Sequence, residues 1–342
     1  MCDGVDNDCD GGTDNALVPP AGLCNQVGEC SGSVPVCMGA SGWRCSYPST
    51  VTVDAAGNIV PETTCDGLDN DCDGKTDENQ PNLATACHDA GIGECAGTGT
   101  FICDAANLDG PAVCNITTPG ATPSAEKCDG KDNDCDGIVD NTTGANRVID
   151  SMSHIVYGAF DFYMDTYEAS RPDASPGAEG ILGSRACSNP NKVPWGNVSW
   201  GSAQAACQAA GKVLCTGTQW GAACAGSLGT TFPYGNAFGP STCNTESNDG
   251  IAGAPDDDVL LATGVKAACV AAQGPVDLSG NVREWTDDIT GVTGTGKNIA
   301  VLRGGSYLTP AAGATCAFRT SRAAVDVLED ENGFRCCKAT AP

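Results

Sequence analysis

The chain has 342 residues, 41% of them apolar, with 23 cysteines and a formal net charge of −26. That length admits two ordinary domains, and that acidity excludes nucleic acid and anionic membranes as partners and leaves cations as the natural ligands. No apolar run reaches the roughly 18 residues of a membrane span, and so many cysteines are useful only where they can be oxidised, so the expected location is secreted or at a cell surface.

From the amino terminus, one motif occurs three times: CDGVDNDCDGGTD from Cys2, CDGLDNDCDGKTD from Cys65 and CDGKDNDCDGIVD from Cys128, with a period of 63 residues. Met1 runs directly into the first copy, and a natural leader removed or replaced is the expectation. Between copies lie Cys24, Cys30, Cys37 and Cys45, then Cys87, Cys95, Cys103 and Cys114, with Gly-Glu-Cys shared at Cys30 and Cys95. Six cysteines per full repeat, in segments rich in Gly, Pro, Asn, Asp and Thr, predict short strands and turns held by disulfides. Residues 1–145 carry 24 acidic against four basic residues, so the acidity is local.

Within the motif, Asp69, Asp71, Asp73 and Asp77 stand at positions one, three, five and nine of a calcium-loop pattern, with Gly74 at six. Alternate residues of a tight loop can turn their oxygens to one centre, and glycine permits the bend between them. Carboxylates so close repel one another unless a cation sits among them. The same set recurs as Asp6, Asp8, Asp10 and Asp14, and as Asp132, Asp134, Asp136 and Asp140. Position twelve, a bidentate Glu in EF-hands, is Leu17, Gln80 and Thr143, so no flanking helix pair is implied. Only His88 and His154 offer imidazoles, and disulfide-bonded cysteines are not thiolate ligands, so the expected ion is Ca2+ rather than copper or zinc. These loops resemble thrombospondin type-three calcium repeats, and the full thirteen-residue string resembles the metal-binding repeat of secreted bacterial proteins.

After the polar stretch from Asn141 to Asn146 the composition changes, and four of the five tryptophans lie beyond it. Ser199 to Lys212 predicts a helix capped by Ser199 or Ser202 and ended by Gly211; Thr216 to Ala225 predicts a second, capped by Thr216. VLRGGSY, CAFRTSR and NGFRCC read as short strands and loops. The fold class is therefore α+β: disulfide-rich, loop-dominated repeats over 1–145, then a compact domain over 146–342.

The segments VSWGSAQAACQAAGKVLCTGTQWGAACAG, FPYGN, DLSGNVREWTDD, VLRGGSY and NGFRCC occur in the order found in the formylglycine-generating, or sulfatase-modifying factor, family, which the domain resembles from about Ile149 to Cys337. The resemblance implies a C-type-lectin-like fold with structural calcium. It places one ion among the side chains of Asp277 and Glu284 and the carbonyls of Gly280 and Val282. The competing reading is that Glu284 pairs with an arginine. A second ion would use Asn244, the carbonyl of Thr245 and a carboxylate from Asp256 to Asp258. The family's oxidase chemistry needs two cysteines near the GGS segment. Here Thr309 takes the first position and Cys316 approximately the second. Threonine supplies no soft thiolate. Nine cysteines in this domain are an odd number, so one stays free, bonds between molecules or joins a cysteine of the repeats.

The function expected from the sequence is a calcium-stabilised structural or adhesive surface protein with a non-catalytic lectin-like domain, either a monomer or a self-associating filament or surface-layer subunit. One alternative is an oxidase of the formylglycine-generating type that uses Cys316. Another is a carbohydrate-binding module in which Trp195, Trp200, Trp220 and Trp285 stack on sugars.

Overall fold

A computed structural model describes residues 1–246, 259–323 and 328–342. The chain divides into two compact units, residues 1–91 with 95–121, and residues 92–94 with 122–342, so the third acidic motif falls in the second unit.

The first unit has little apolar material to bury. Strand β1 (Val34–Cys37) pairs antiparallel with β2 (Trp43–Ser46). Strands β3 (Ala86–His88), β4 (Thr98–Ile102) and β5 (Val113–Thr118) form an antiparallel sheet in that order. The buried cluster is Cys30, Val51 and Cys72, with Tyr47 and Ile59 packed against it. Disulfides supply what the core lacks: Cys2–Cys37, Cys24–Cys45, Cys30–Cys72, Cys65–Cys103 and Cys87–Cys114. The even count per repeat does not mean that each repeat closes on itself, because Cys30–Cys72 joins the segment after one motif to the motif that follows.

The second unit is built conventionally. Strands β6 (Met152–Tyr157) and β7 (Phe160–Asp165) form a hairpin. Helix α1 (Trp200–Ala209) follows, and the Ser199 hydroxyl caps it by accepting from the Ser202 amide at 3.2 Å. The helix stops short of Lys212, and Gly211 adopts the left-handed φ of +68° that ends it. After β8 (Val213–Leu214), helix α2 (Gly217–Ala225) begins with Thr216 and Gln219 in a reciprocal capping box. Strands β9 (Arg283–Val292), β10 (Asn298–Arg303) and β11 (Arg319–Ala323) run antiparallel, and β12 (Asn332–Phe334) adds to β9 in parallel. The last strand, β13 (Cys336–Lys338), lies between β7 and β8. One face of α1 buries Ala203, Ala206 and Cys207 with Trp195, Leu214, Trp285, Leu302 and Phe334; α2 buries Trp220 and Ala223 with Ile155, Met164 and Leu278. Cys128–Cys187 resolves the odd cysteine count, since a motif cysteine takes the ninth; the others bond as Cys207–Cys336, Cys215–Cys337, Cys224–Cys316 and Cys243–Cys269.

Candidate metal centres

In the first and second loops the alternate aspartates lie close together. Asp6, Asp8 and Asp10 each offer an oxygen within 4.8 Å of the others, and so do Asp69, Asp71 and Asp73. Position-six glycines Gly11, Gly74 and Gly137 sit at φ near +90°, and their amides donate to the position-one carboxylates of Asp6, Asp69 and Asp132 at 3.0, 3.1 and 3.0 Å. In the third loop the Asp136 amide reaches both Asp132 and Asp134, as Asp73 reaches Asp69 and Asp71. The Gly11 amide holds Asp6 below the ordinary range, the Asn15 side chain does so for Asp10, and Lys75 for Asp73.

Position nine has partners of its own. Asp14, Asp77 and Asp140 have left-handed backbones at φ of 52, 55 and 51°. Their carboxylates accept from the amides of Asp3 and Gly4, of Asp66 and Gly67, and of Asp129 and Gly130. They clamp the Cys-Asp-Gly turn at the head of the motif, and Asp77 groups with Glu62 and Asp66.

Two glutamates were missed in the sequence. Buried Glu62 accepts from the amides of Asn70 and Asp77, and buried Glu126 from those of Asn133 and Asp134, so each braces the loop that follows it. Burial pushes Glu62 up to about 7 against the pull of its two amide donors. The available signal was a glutamate three residues before Cys65 and two before Cys128.

In the second unit, Asp277 (φ 61°) and Gly280 (φ 83°) curl the DLSGNVREW segment, and the Asn281 amide donates to the Asn244 carbonyl at 2.7 Å. The two segments assigned to separate ions therefore meet. Gly280 packs so tightly on the Asn244 backbone that a β-carbon would overlap it, while the Val282 amide donates to Glu168 at 3.1 Å. Glu284, however, belongs to Arg335. The guanidinium donates to both of its oxygens at 2.8–3.0 Å, and the Trp220 indole adds a bond at 2.8 Å. The arginine pairing is the one the structure shows for Glu284, because Arg335 is fully buried and needs a counter-charge. The Asp277 carboxylate accepts from the Gly264 amide at 2.6 Å, and burial pushes it up to about 6. Glu168, also missed, is fully buried; burial, then the charges of Asp277 and Glu284, push its carboxyl well above the usual range. The Asn244 side chain bonds Val259 and Asn281, and the buried Thr245 hydroxyl has no partner among the described residues. Asp256 to Asp258 lie outside the described residues.

The catalytic positions are structural here. The Thr309 hydroxyl accepts from the Ser306 amide at 2.8 Å and closes a turn, while the Ser306 hydroxyl donates to Glu331 at 2.5 Å. Cys316 is buried in its bond to Cys224, so neither position offers a thiol and a copper-thiolate pair does not fit. Three of the four tryptophans of the carbohydrate reading are buried, and Trp200 is half-buried. Trp220 and Trp285 are fully buried, Trp195 is buried with Arg171 over its ring at 4.2 Å, and the Trp200 indole bonds the Thr286 carbonyl.

The sulfatase-modifying factor enzyme 1-like domain matches residues 146–340, and the chain belongs to that family. The metal-binding motif of the Cu-binding_MopE family matches residues 1–15, 58–78 and 118–141. Among curated relatives, the inactive C-alpha-formylglycine-generating enzyme 2 of Mus musculus is 31% identical over 159 residues, 43% of this chain and 50% of the mouse protein. Its Bos taurus counterpart is 32% identical over 156 residues, 42% of this chain and 50% of the bovine protein. The chain thus spans about half the length of these relatives. The crystal structure of CarF covers 56% of this chain and 96% of its own, at 15% identity and a TM-score of 0.40.

Proposed function

We propose that this is a secreted surface protein in which hard divalent cations, calcium foremost, rigidify the acidic repeats, and in which the family domain is a non-catalytic structural or adhesive module. The carrying observation is the convergence of Asp69, Asp71 and Asp73, repeated at Asp6, Asp8 and Asp10. Although the matched motif family is named for copper, the donors here are carboxylates and the motif cysteines Cys2, Cys65, Cys72 and Cys128 are in disulfides. Oxygen donors of this kind suit calcium or magnesium, and the soft thiolates that suit copper(I) are absent from these four positions.

Support for the non-catalytic reading comes from Thr309, from the Cys224–Cys316 bond and from relatives named inactive. The exact period also suits a repeating filament or surface layer, which light scattering at high calcium tests: growth in mass supports it and a constant monomer mass overturns it. The ion is tested by melting the protein in chelator and then in added calcium, magnesium or copper(II). Calcium is expected to raise the midpoint most; an unchanged midpoint, or copper acting at lower concentration, would overturn the reading. No turnover of a cysteine-containing sulfatase peptide is expected with copper supplied.

A further inference from the structure

The second and third acidic loops each receive a visitor. Gly28–Cys30 and Gly93–Cys95 form short 3-10 turns, and the amides of Glu29 and Glu94 donate to the carbonyls of Asp69 and Asp132 at 3.2 and 3.1 Å. Both glycines have left-handed φ, 54 and 57°, and a β-carbon on either would overlap the aspartate beneath it. The turn cysteine then becomes covalent: Cys30 bonds Cys72, and both Cys95 and Cys135 are disulfide-bonded. Position four of the loop is a cysteine, held at φ 61° in Cys72, which receives Cys30, and at 64° in Cys135.

The first loop has the same receiving site. Cys9 occupies the equivalent position with φ 60°, is exposed, and is the free cysteine among the described residues. Neither Gly-Glu-Cys turn of this sequence has a sulfur to spare, so a second intact copy does not supply the partner.

We propose that the first acidic loop is an acceptor for a Gly-Glu-Cys turn of a further repeat unit, which docks on the main chain of Asp6 and bonds covalently to Cys9. The bond forms by exchange: the Cys9 thiolate attacks the turn's sulfur in a mixed disulfide with a small thiol, the new S–S bond forms, and the small thiol leaves with the electron pair. The proposal rests on repeat geometry and not on the identity of the ion, so its failure leaves the calcium reading standing.

The test uses the full chain and a heptapeptide with the sequence of residues 26–32, QVGECSG, activated at its cysteine as a thionitrobenzoate mixed disulfide. Cys9 is expected to capture it about tenfold faster than a peptide carrying Gly28→Ala or a scrambled order, since the docking bond and its steric fit discriminate by that much. Peptide mapping should place the adduct on Cys9, and Cys9→Ser should abolish it. Equal capture of all three peptides, or an adduct that persists in Cys9→Ser, would overturn the proposal.

Discussion

The first unit buries Cys30, Val51 and Cys72 with two half-covered neighbours, whereas the second buries Trp220, Trp285, Ile155, Met164, Leu302 and Phe334 in two clusters and hides Arg335 and Lys212 beside their counter-charges. The difference shows two ways of overcoming chain entropy. Both units are cross-linked, and they differ in what accompanies the cross-links: where apolar side chains are scarce, carboxylates tie the loop amides; where they are plentiful, burial stabilises the fold and allows ion pairs to be dry. Two unfolding transitions are therefore expected, one for each unit, and substitutions should move them separately.

The largest shift is expected from Glu284→Ala, which leaves Arg335 buried without a counter-charge and should cost the second transition about 3–5 kcal/mol in chemical denaturation. A loss below about 1 kcal/mol would mean that another carboxylate takes over the guanidinium. Next, the paired change Cys30→Ser with Cys72→Ser should lower the first transition by about 2–4 kcal/mol and leave the second in place. Movement of both together would erase the distinction drawn above.

A subtler contrast lies in pH. Because burial raises Glu62 to about 7, the folded state holds its proton more tightly than the unfolded chain. Its contribution to stability therefore falls as pH rises from the ordinary glutamate value of about 4.3 toward 7. In chelator, the first transition should drop between pH 5 and pH 8, and Glu62→Gln should flatten that drop. An unchanged profile would place the titration elsewhere. The smallest effect is expected at Lys131, whose exposed pairing with Glu94 at 2.8 Å is open to water and salt. Lys131→Ala should leave both midpoints unchanged within error.

Local features were legible in the sequence and distant ones were not. Ser199 and Thr216 announced their helices because a cap is satisfied within three residues. The closeness of Asp6, Asp8 and Asp10, and of Asp69, Asp71 and Asp73, follows from alternation and one glycine. At position nine a left-handed residue swings its side chain back over the turn, which spacing alone does not reveal. Glu284 found Arg335 across 51 residues, and Cys128 found Cys187 across 59. Such pairings are decided by the packed fold rather than by spacing. Glu62, Glu126 and Glu168 escaped notice because a glutamate in a polar sequence ordinarily faces water, and only burial marks these three.

The cross-links of the first unit overlap along the chain: Cys2–Cys37 is still open when Cys30–Cys72 begins, and that one when Cys65–Cys103 begins. A protease that severs one peptide bond anywhere from Cys2 to Cys103 therefore frees no fragment, and the nicked stretch stays threaded together like chain mail. In a medium thick with hydrolases, damage of that kind would pass unseen until the surroundings turned reducing.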